Sequence, residues 1–187
     1  MKPRRHVLRW IVGIVVLAVV YFVFLNDVAK SLKWHLAHGN TVAYHGHSMT
    51  LPLLWRQEYS SGSVLKLSRA AFFHTFVNAG LSGPEFLEIV WDTGESAKLD
   101  DAAAARWQSH MVASFRATNL FASPENLHSK SMTFYCFNRD DANTHGGCLD
   151  CKATGTNWEV IFGVGDGGAG PVQGQLQEAR GILKSMQ

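Results

Sequence analysis

The sequence predicts an α+β fold, in which an N-terminal transmembrane helix precedes a mainly antiparallel β-sheet with two helices packed on it. Three observations support this prediction. Residues 7–25 form one continuous apolar run. Several extended segments then follow each other with only turns between them, as neighbouring antiparallel strands do. Two later segments, beginning near Asp100 and Pro171, carry apolar residues at helical spacing.

The apolar run Val7–Leu25 contains 19 residues. As a helix it would span about 28 Å, close to the hydrocarbon thickness of a bilayer, so the lipid bilayer is its expected partner. Four basic residues lie at or before Arg9, whereas only Lys30 and Lys33 follow the run closely. This bias predicts a signal anchor with residues 1–6 in the cytoplasm. A cleaved signal peptide is the alternative, but no good small-x-small cleavage site follows the run.

The rest of the chain divides into a linker and one domain. Val28, Leu32 and Leu36 recur at helical spacing, so residues 26–39 are predicted to form a juxtamembrane helical linker that stops at Gly39-Asn40. Residues 40–187 form the extracytoplasmic α+β domain. From residue 26 onward the chain has 13 basic and 15 acidic side chains, a net charge of 13 − 15 = −2. A nucleic-acid partner is therefore not expected.

The elements of the domain follow from local patterns. Extended or alternating segments predict strands at 41–49, 56–59, 64–70, 85–91, 131–138 and 157–164. Asp100 and Asp101 predict the start of a helix, because carboxylates cap helix N-termini. A second, C-terminal helix is predicted from its apolar stripe of Val172, Leu176, Ala179, Leu183 and Met186.

Both ends of this domain resemble PsbP-like domains. Near the start, Thr50-Leu51-Pro52 is followed by Trp55 and by the strand Val64–Ala70. Near the end, the strand Trp158–Val164 leads through a glycine-rich connector to a helix that finishes Ile182-Leu183-Lys184-Ser185. The resemblance covers roughly two-thirds of the domain. It implies a sandwich fold and a non-enzymatic role in assisting or binding membrane complexes, but it implies no functional residue, because no ligand motif is matched.

Three cysteines are the most informative polar residues. In an oxidising compartment Cys136, Cys148 and Cys151 are disulfide candidates, and Cys136 pairs with either of the other two. Such a bond closes a loop of about a dozen residues and contributes about 3 kcal/mol. The alternatives are free thiols, a redox-active C-x-x-C, and a metal site made by Cys136, His145, Cys148 and Cys151, which are the ligand types of structural zinc. The disulfide is favoured.

The remaining residue patterns give weaker indications of a functional site. His45 and His47 are two apart on a predicted strand, a usable metal spacing that lacks a third ligand. Gly163–Gly168 matches G-x-G-x-x-G, but only one helix follows it and no parallel strand, so no dinucleotide and no other cofactor is expected. No nucleophile elbow, H-E-x-x-H or P-loop occurs, and no catalytic residue is assigned.

The predicted function is a membrane-tethered, non-catalytic interaction or assembly module outside the cytoplasm. Its predicted partner is another membrane or extracytoplasmic protein. Two alternatives remain open: a metal-binding domain that uses the cysteine and histidine cluster, and an enzyme whose site is not recognisable from the sequence.

Overall fold

The computed structural model describes residues 3–21, 25–70, 86–91, 98–118, 121–141, 146–163 and 172–187. Within these ranges the helices are α1 (Pro3–Val20), α2 (Asn26–His38), α3 (Asp101–Ala117) and α4 (Val172–Lys184). The strands are β1 (Thr41–Tyr44), β2 (His47–Thr50), β3 (Trp55–Ser60), β4 (Val64–Arg69), β5 (Phe86–Trp91), β6 (Phe121–His128), β7 (Thr133–Asp141), β8 (Gly146–Ala153) and β9 (Trp158–Gly163).

The N-terminal helix differs from the prediction. The first two turns of α1 carry three arginines and a histidine, which leaves residues 10–20 as its uncharged part. No helix in the described part of the chain is both long and apolar enough to cross a membrane. The predicted transmembrane helix Val7–Leu25 is therefore wrong; residues 22–24 of that run lie outside the described ranges.

Several predictions depended on that helix and are corrected on the same finding. They are the signal anchor, the single-pass membrane topology with a cytoplasmic N-terminus, and the extracytoplasmic or periplasmic location of the domain. Contact with a lipid bilayer through Val7–Leu25 loses its basis as well. The fold class as predicted was wrong in this N-terminal part.

The α+β domain with an antiparallel sheet is observed. Seven strands form one sheet in the order β3-β4-β5-β9-β8-β7-β6, and every neighbouring pair is antiparallel. The strands β1 and β2 form a separate hairpin. The predicted extended segment 41–49 is thus interrupted by a turn at His45-Gly46, where both residues have positive φ angles, +48° and +83°. Positive φ at two successive residues is the geometry of tight hairpin turns.

Both faces of the sheet are covered, because successive side chains along each strand point to opposite faces. On β7, Phe134 is buried on the face covered by α4 and the β1–β2 hairpin, whereas Phe137 points to the opposite face. There it packs against Val112 of α3. The N-terminus of α3 is capped as predicted, since the Asp100 carboxylate accepts a hydrogen bond of 2.6 Å from the Ala103 amide. The domain is therefore a sandwich with helices on both faces of one sheet.

Candidate functional site

The first candidate site is the cysteine group on β7 and β8. Cys136 lies directly opposite Cys151 in this antiparallel pair, and both side chains are fully buried. Their sulfur atoms are 2.06 Å apart, which is bonding distance. A bond over this separation of 15 residues contributes about 3 kcal/mol by restricting the unfolded chain. Directly opposed cross-strand neighbours place their side chains on the same face, so the register of β7 and β8 produces this pairing.

The third cysteine is on the other face of β8. Cys148 is three residues from Cys151, and an odd separation along a strand reverses the side-chain direction. Its thiol donates a hydrogen bond of 3.3 Å to the Asp150 carboxylate. Burial, followed by the charge and hydrogen bond of Asp150, raises the pKa of Cys148 to about 12, although Arg139 acts in the opposite direction. The thiol is therefore protonated at neutral pH and is a poor nucleophile.

The three cysteines of the predicted metal site do not come together in the described part of the chain. Cys136 and Cys151 are joined to each other, Cys148 is on the opposite face, and His145 lies outside the described ranges. No group of three or more potential ligands comes together among the described histidines, cysteines and carboxylates. The four-ligand metal site stays a prediction, without support from the arrangement of its three cysteines.

The two histidines of the hairpin contribute to packing. His45 is in the turn and stacks on Trp91 with ring centroids 4.2 Å apart, while its Nε2 donates to the Gly62 carbonyl at 2.8 Å. His47, at the start of β2, meets the buried Trp158 edge to face at 5.0 Å. These contacts fasten the hairpin to the sheet. The strand on which both rings were predicted to point the same way does not exist.

The second candidate site is helix α2, which is attached to the body by polar contacts. Ser31 and His35 are its buried residues. The Ser31 hydroxyl donates to the Leu53 carbonyl at 2.9 Å, and His35 Nε2 donates to the Trp55 carbonyl at 2.8 Å. The other ring nitrogen of His35 lies 3.1 Å from the Gly39 carbonyl oxygen. These polar contacts and the half-buried Trp34, which packs against the core, fix the orientation of α2 and leave its leucines on other faces.

Those leucines form a surface that we call the α2 stripe: Leu25, Ala29, Leu32 and Leu36. Leu36 is 89% exposed, Leu25 is 45% exposed and Leu32 is 40% exposed, while Ala29 is half-buried. The next loop adds Leu53, which is 57% exposed and whose carbonyl holds Ser31. Single exposed leucines are ordinary, but a helical row of them is typical of an interaction surface.

Helix α1 exposes even more apolar surface. Its large apolar side chains from Trp10 to Val20 are between 39% and 74% exposed. They occur on all sides of the helix, since successive positions from 14 to 17 are exposed. The described part of the domain does not bury these side chains. A helix that exposes apolar side chains on all sides is stable only when another apolar surface covers it.

Sequence reasoning missed the α2 stripe as a site. It grouped Val28, Leu32 and Leu36 into one linker face and gave no role to Ser31 or His35. Hydrophobicity alone selects the leucine face as the buried one, whereas the structure buries a serine and a histidine. The available signal was the 4-3-4 spacing of Leu25, Ala29, Leu32 and Leu36, which places them on one face of a helix.

Comparisons with known proteins add little to the functional interpretation of this chain. No protein-family model matches the sequence, and no curated protein matches it. A crystal structure from Bacteroides thetaiotaomicron is similar at 12% identity and a TM-score of 0.44, covering 75% of this chain and 44% of the other. The Saccharomyces cerevisiae Ran-binding protein Mog1p is similar at 10% identity and a TM-score of 0.43, covering 79% and 93%. A mutant of Mog1 is similar at 9% and 0.41, covering 79% and 94%. Likenesses this distant carry no argument about function.

Proposed function

We propose that this chain is a non-catalytic protein-binding module and that its partner protein covers the α2 stripe and helix α1. The single observation that carries the proposal is the exposure of these apolar side chains, up to 89% at Leu36. Burying one leucine completely is worth about 1.5–3 kcal/mol. A row of leucines on one helix face therefore offers a partner several kcal/mol of binding free energy.

The attachment of α2 supports a binding role. Because Ser31 and His35 hold the helix by hydrogen bonds to backbone carbonyls, the stripe is presented in a defined orientation. A rigidly held helix loses little conformational entropy when a partner binds, which favours affinity. Cys148 itself is not expected to act as a nucleophile at neutral pH, because its pKa is raised to about 12.

Site-specific photo-crosslinking tests this function. A photoreactive amino acid is placed at Leu36, and, as a matched control, at Ser109, an exposed residue of α3 on the opposite face of the sheet. In cells that produce the full chain, we expect Leu36 to give one discrete crosslinked protein that Ser109 does not give. Adding Leu32→Asp to the Leu36 probe should abolish that product.

Two results would contradict the proposal. One is that probes at Leu36 and Ser109 give the same products, because contact would then not depend on the stripe. The other is that Leu36 crosslinks to lipid but to no protein. Because Leu32 is 40% exposed and therefore partly covered by the fold, a thermal unfolding curve of Leu32→Asp distinguishes loss of the contact from a folding defect.

A further inference from the structure

We infer that the partner protein pairs an extended segment of its own chain with the outer edge of β1, so that the β1–β2 hairpin becomes a three-stranded sheet. This inference rests on the proposed function and names a second place where the same partner contacts the chain. Three observations carry it. The outward backbone groups of β1 are unpaired, the other strand edges in the described part of the chain are blocked, and β1 begins close to the α2 stripe.

The register of the hairpin decides which backbone groups of β1 point outward. The Leu51 amide donates to the Asn40 carbonyl at 2.7 Å, so this opposed pair is hydrogen-bonded. Because bonded and non-bonded pairs alternate in an antiparallel ladder, Val42 bonds to β2, whereas Thr41 and Ala43 direct their N–H and C=O groups away from it. Both residues are exposed, and no hydrogen bond in the described part of the chain uses these outward groups. Donors and acceptors that repeat every two residues are complementary to the backbone of another strand.

The opposite edge of the hairpin is already paired. Ser48 of β2 points outward as Ala43 does, since the two residues face each other in the ladder. The Ser48 amide donates to the Gln187 carbonyl at 3.2 Å, and the Ser48 carbonyl accepts from the Gln187 amide at 3.0 Å. The Thr50 amide, the next outward donor, donates to Ser185 Oγ at 2.8 Å. Within the described ranges the chain therefore covers one edge of its hairpin and leaves the other uncovered.

The two edges of the seven-stranded sheet are blocked in other ways. On β3, the Trp55 carbonyl accepts hydrogen bonds from two side chains of α2, and the strand contains a β-bulge. On β6, Pro124 has no N–H to donate, and Arg116 Nε donates to the Ala122 carbonyl at 3.0 Å. Bulges, proline and covering elements are the devices by which natural sheets prevent pairing at their edges.

The strand β1 lacks these devices. Its sequence Thr-Val-Ala-Tyr contains no charge and no proline, and its register with β2 is regular. Its one protection is its length of four residues, which limits the number of hydrogen bonds that a partner strand gains. Strand pairing at β1 therefore needs a neighbouring contact that brings the partner to the edge.

The α2 stripe supplies this neighbouring contact. Helix α2 ends at His38 and β1 begins at Thr41, so Leu36, the most exposed leucine of the stripe, precedes the first outward group by 41 − 36 = 5 residues. Five residues span at most about 18 Å. A partner bound at Leu36 is therefore held close to the edge, and its high effective concentration there compensates for the small number of hydrogen bonds.

Two substitutions at Ala43 test the inference. Ala43→Pro removes the outward N–H without removing a bond between β1 and β2, whereas Ala43→Val keeps the N–H and is the matched control. Each is combined with the photoreactive amino acid at Leu36 in cells that produce the full chain. We expect Ala43→Pro to lower the yield of the crosslinked partner about tenfold, because one hydrogen bond is lost and the ring obstructs the approaching strand. Ala43→Val should leave the yield unchanged, and thermal unfolding curves check that both variants fold.

Amide exchange resolved by residue gives a second readout that needs no variant. In the isolated chain, the outward amides of Thr41 and Ala43 should exchange rapidly, whereas the amides of Val42 and Tyr44 should be protected by their bonds to β2. In the assembly with the partner, we expect exchange at Thr41 and Ala43 to slow at least about tenfold, because both amides then donate to the added strand.

Three results would overturn the inference. The first is an unchanged crosslink yield in a folded Ala43→Pro variant, and the second is equal exchange at Thr41 and Ala43 with and without the partner. The third is a dimer of the purified chain that Ala43→Pro dissociates, because the edge would then pair with a second copy. If the Leu36 crosslink is still obtained, the protein-binding function stands and only strand pairing is excluded. If no protein is crosslinked at Leu36, both proposals fail.

Discussion

Cys148 shows how the surroundings of one side chain determine its chemistry. The thiol is half-buried, donates to Asp150 and lies beside Arg139. Removal from water and the neighbouring carboxylate both disfavour the thiolate, and the arginine offsets them only in part. A C-x-x-C in the sequence therefore does not form a reactive pair here, since Cys151 is joined to Cys136 across the strands.

Alkylation by iodoacetamide measures this effect. At pH 8 we expect Cys148 in the folded, non-reduced chain to react at least about a hundredfold more slowly than an unhindered thiol, because the thiolate is scarce. Asp150→Asn should speed the reaction, since the carboxylate contributes to the raised pKa. The same chain in urea provides the reference rate. Equal rates in the folded and unfolded chains would show that the thiol is not protected.

His35 is the residue that connects α2 to the body most closely. Its Nε2 approaches the Pro52 and Trp55 carbonyl oxygens at 3.1 and 2.8 Å, and its Nδ1 faces Asn40 Oδ1 at 3.0 Å. His38, one turn further on, is exposed and stacks on Trp34 instead. Two histidines on the same helix thus have unequal structural roles.

Alanine substitution separates these roles. His35→Ala should lower the free energy of unfolding by about 2 kcal/mol, because it leaves buried carbonyl groups without a donor. His38→Ala, the control, should change it by less than about 0.5 kcal/mol. Urea denaturation followed by tryptophan fluorescence reports both values. Equal effects of the two substitutions would mean that the contacts of His35 do not hold α2.

Among the elements, α4 is attached to the sheet by two ion pairs. The helix supplies the carboxylate of one pair and the guanidinium of the other. Arg69 on β4 donates to Glu178 of α4 at 2.6 Å, and Arg180 of α4 donates to Glu125 of β6 at 2.8 Å. Trp55 Nε1 also donates to Glu178 at 2.8 Å. Burial alone would raise the pKa of Glu178, but the hydrogen bonds from Arg69 and Trp55 and the charge of Arg69 outweigh it, so this pKa is lowered.

The lowered pKa makes the contribution of Glu178 depend on pH. A depressed folded-state pKa gives stability that is present above the ordinary value of about 4.3 and is lost as pH falls through the folded-state value. Glu178→Gln should therefore cost about 1 kcal/mol at pH 7, a modest amount because a third of the side chain is exposed to water. The difference from wild type should disappear in acid. Unfolding curves between pH 7 and pH 3 measure it.

The control for this experiment is Glu58→Gln, since Glu58 is an exposed carboxylate on β3. This variant should follow the wild-type pH profile. A constant difference between wild type and Glu178→Gln over the whole pH range would contradict the assignment. The charged pair would then contribute nothing that depends on ionisation.

Elements with strong periodicity could be predicted from the sequence. The helix beginning after Asp100, the strands β4, β5 and β9, and the C-terminal helix α4 all occur near their predicted positions. The strand β6 was missed because it contains Pro124, a residue typical of edge strands, and β6 is indeed at the edge. The strand β8 was also missed, because Gly146 and Gly147 at its start have low strand propensity.

At the scale of the whole molecule, the sequence-based predictions were least successful in deciding which helix surfaces are buried and what surrounds the exposed ones. Composition made the run Val7–Leu25 a predicted transmembrane segment, but helix α1 carries charged residues in its first two turns, and no helix in the described ranges is long and apolar enough to cross a membrane. Similarly, hydrophobicity did not identify which face of α2 is buried, because hydrogen bonds from Ser31 and His35 determine it. The resemblance to PsbP-like domains stays a prediction.

The fold positions its exposed surfaces apart from its core. One face of the sheet is covered by α4 and the hairpin and part of the other by α3, and the bond between Cys136 and Cys151 lies inside. The α2 stripe lies outside this packing and does not contribute to the core, although α2 itself is firmly attached. A module of this type can bind a partner without rearranging its own interior, as most preorganised interfaces do.

The mass of the native assembly tests the central claim most directly. The full chain, 20.7 kDa, is isolated gently from cells that produce it and its sedimentation is recorded beside that of Leu36→Asp. We predict that the wild-type chain sediments with a second polypeptide in a fixed ratio, and that the variant loses this polypeptide while its thermal unfolding is unchanged. If both chains sediment alone, or if both keep the same companion, the leucines of α2 are not a protein-binding surface.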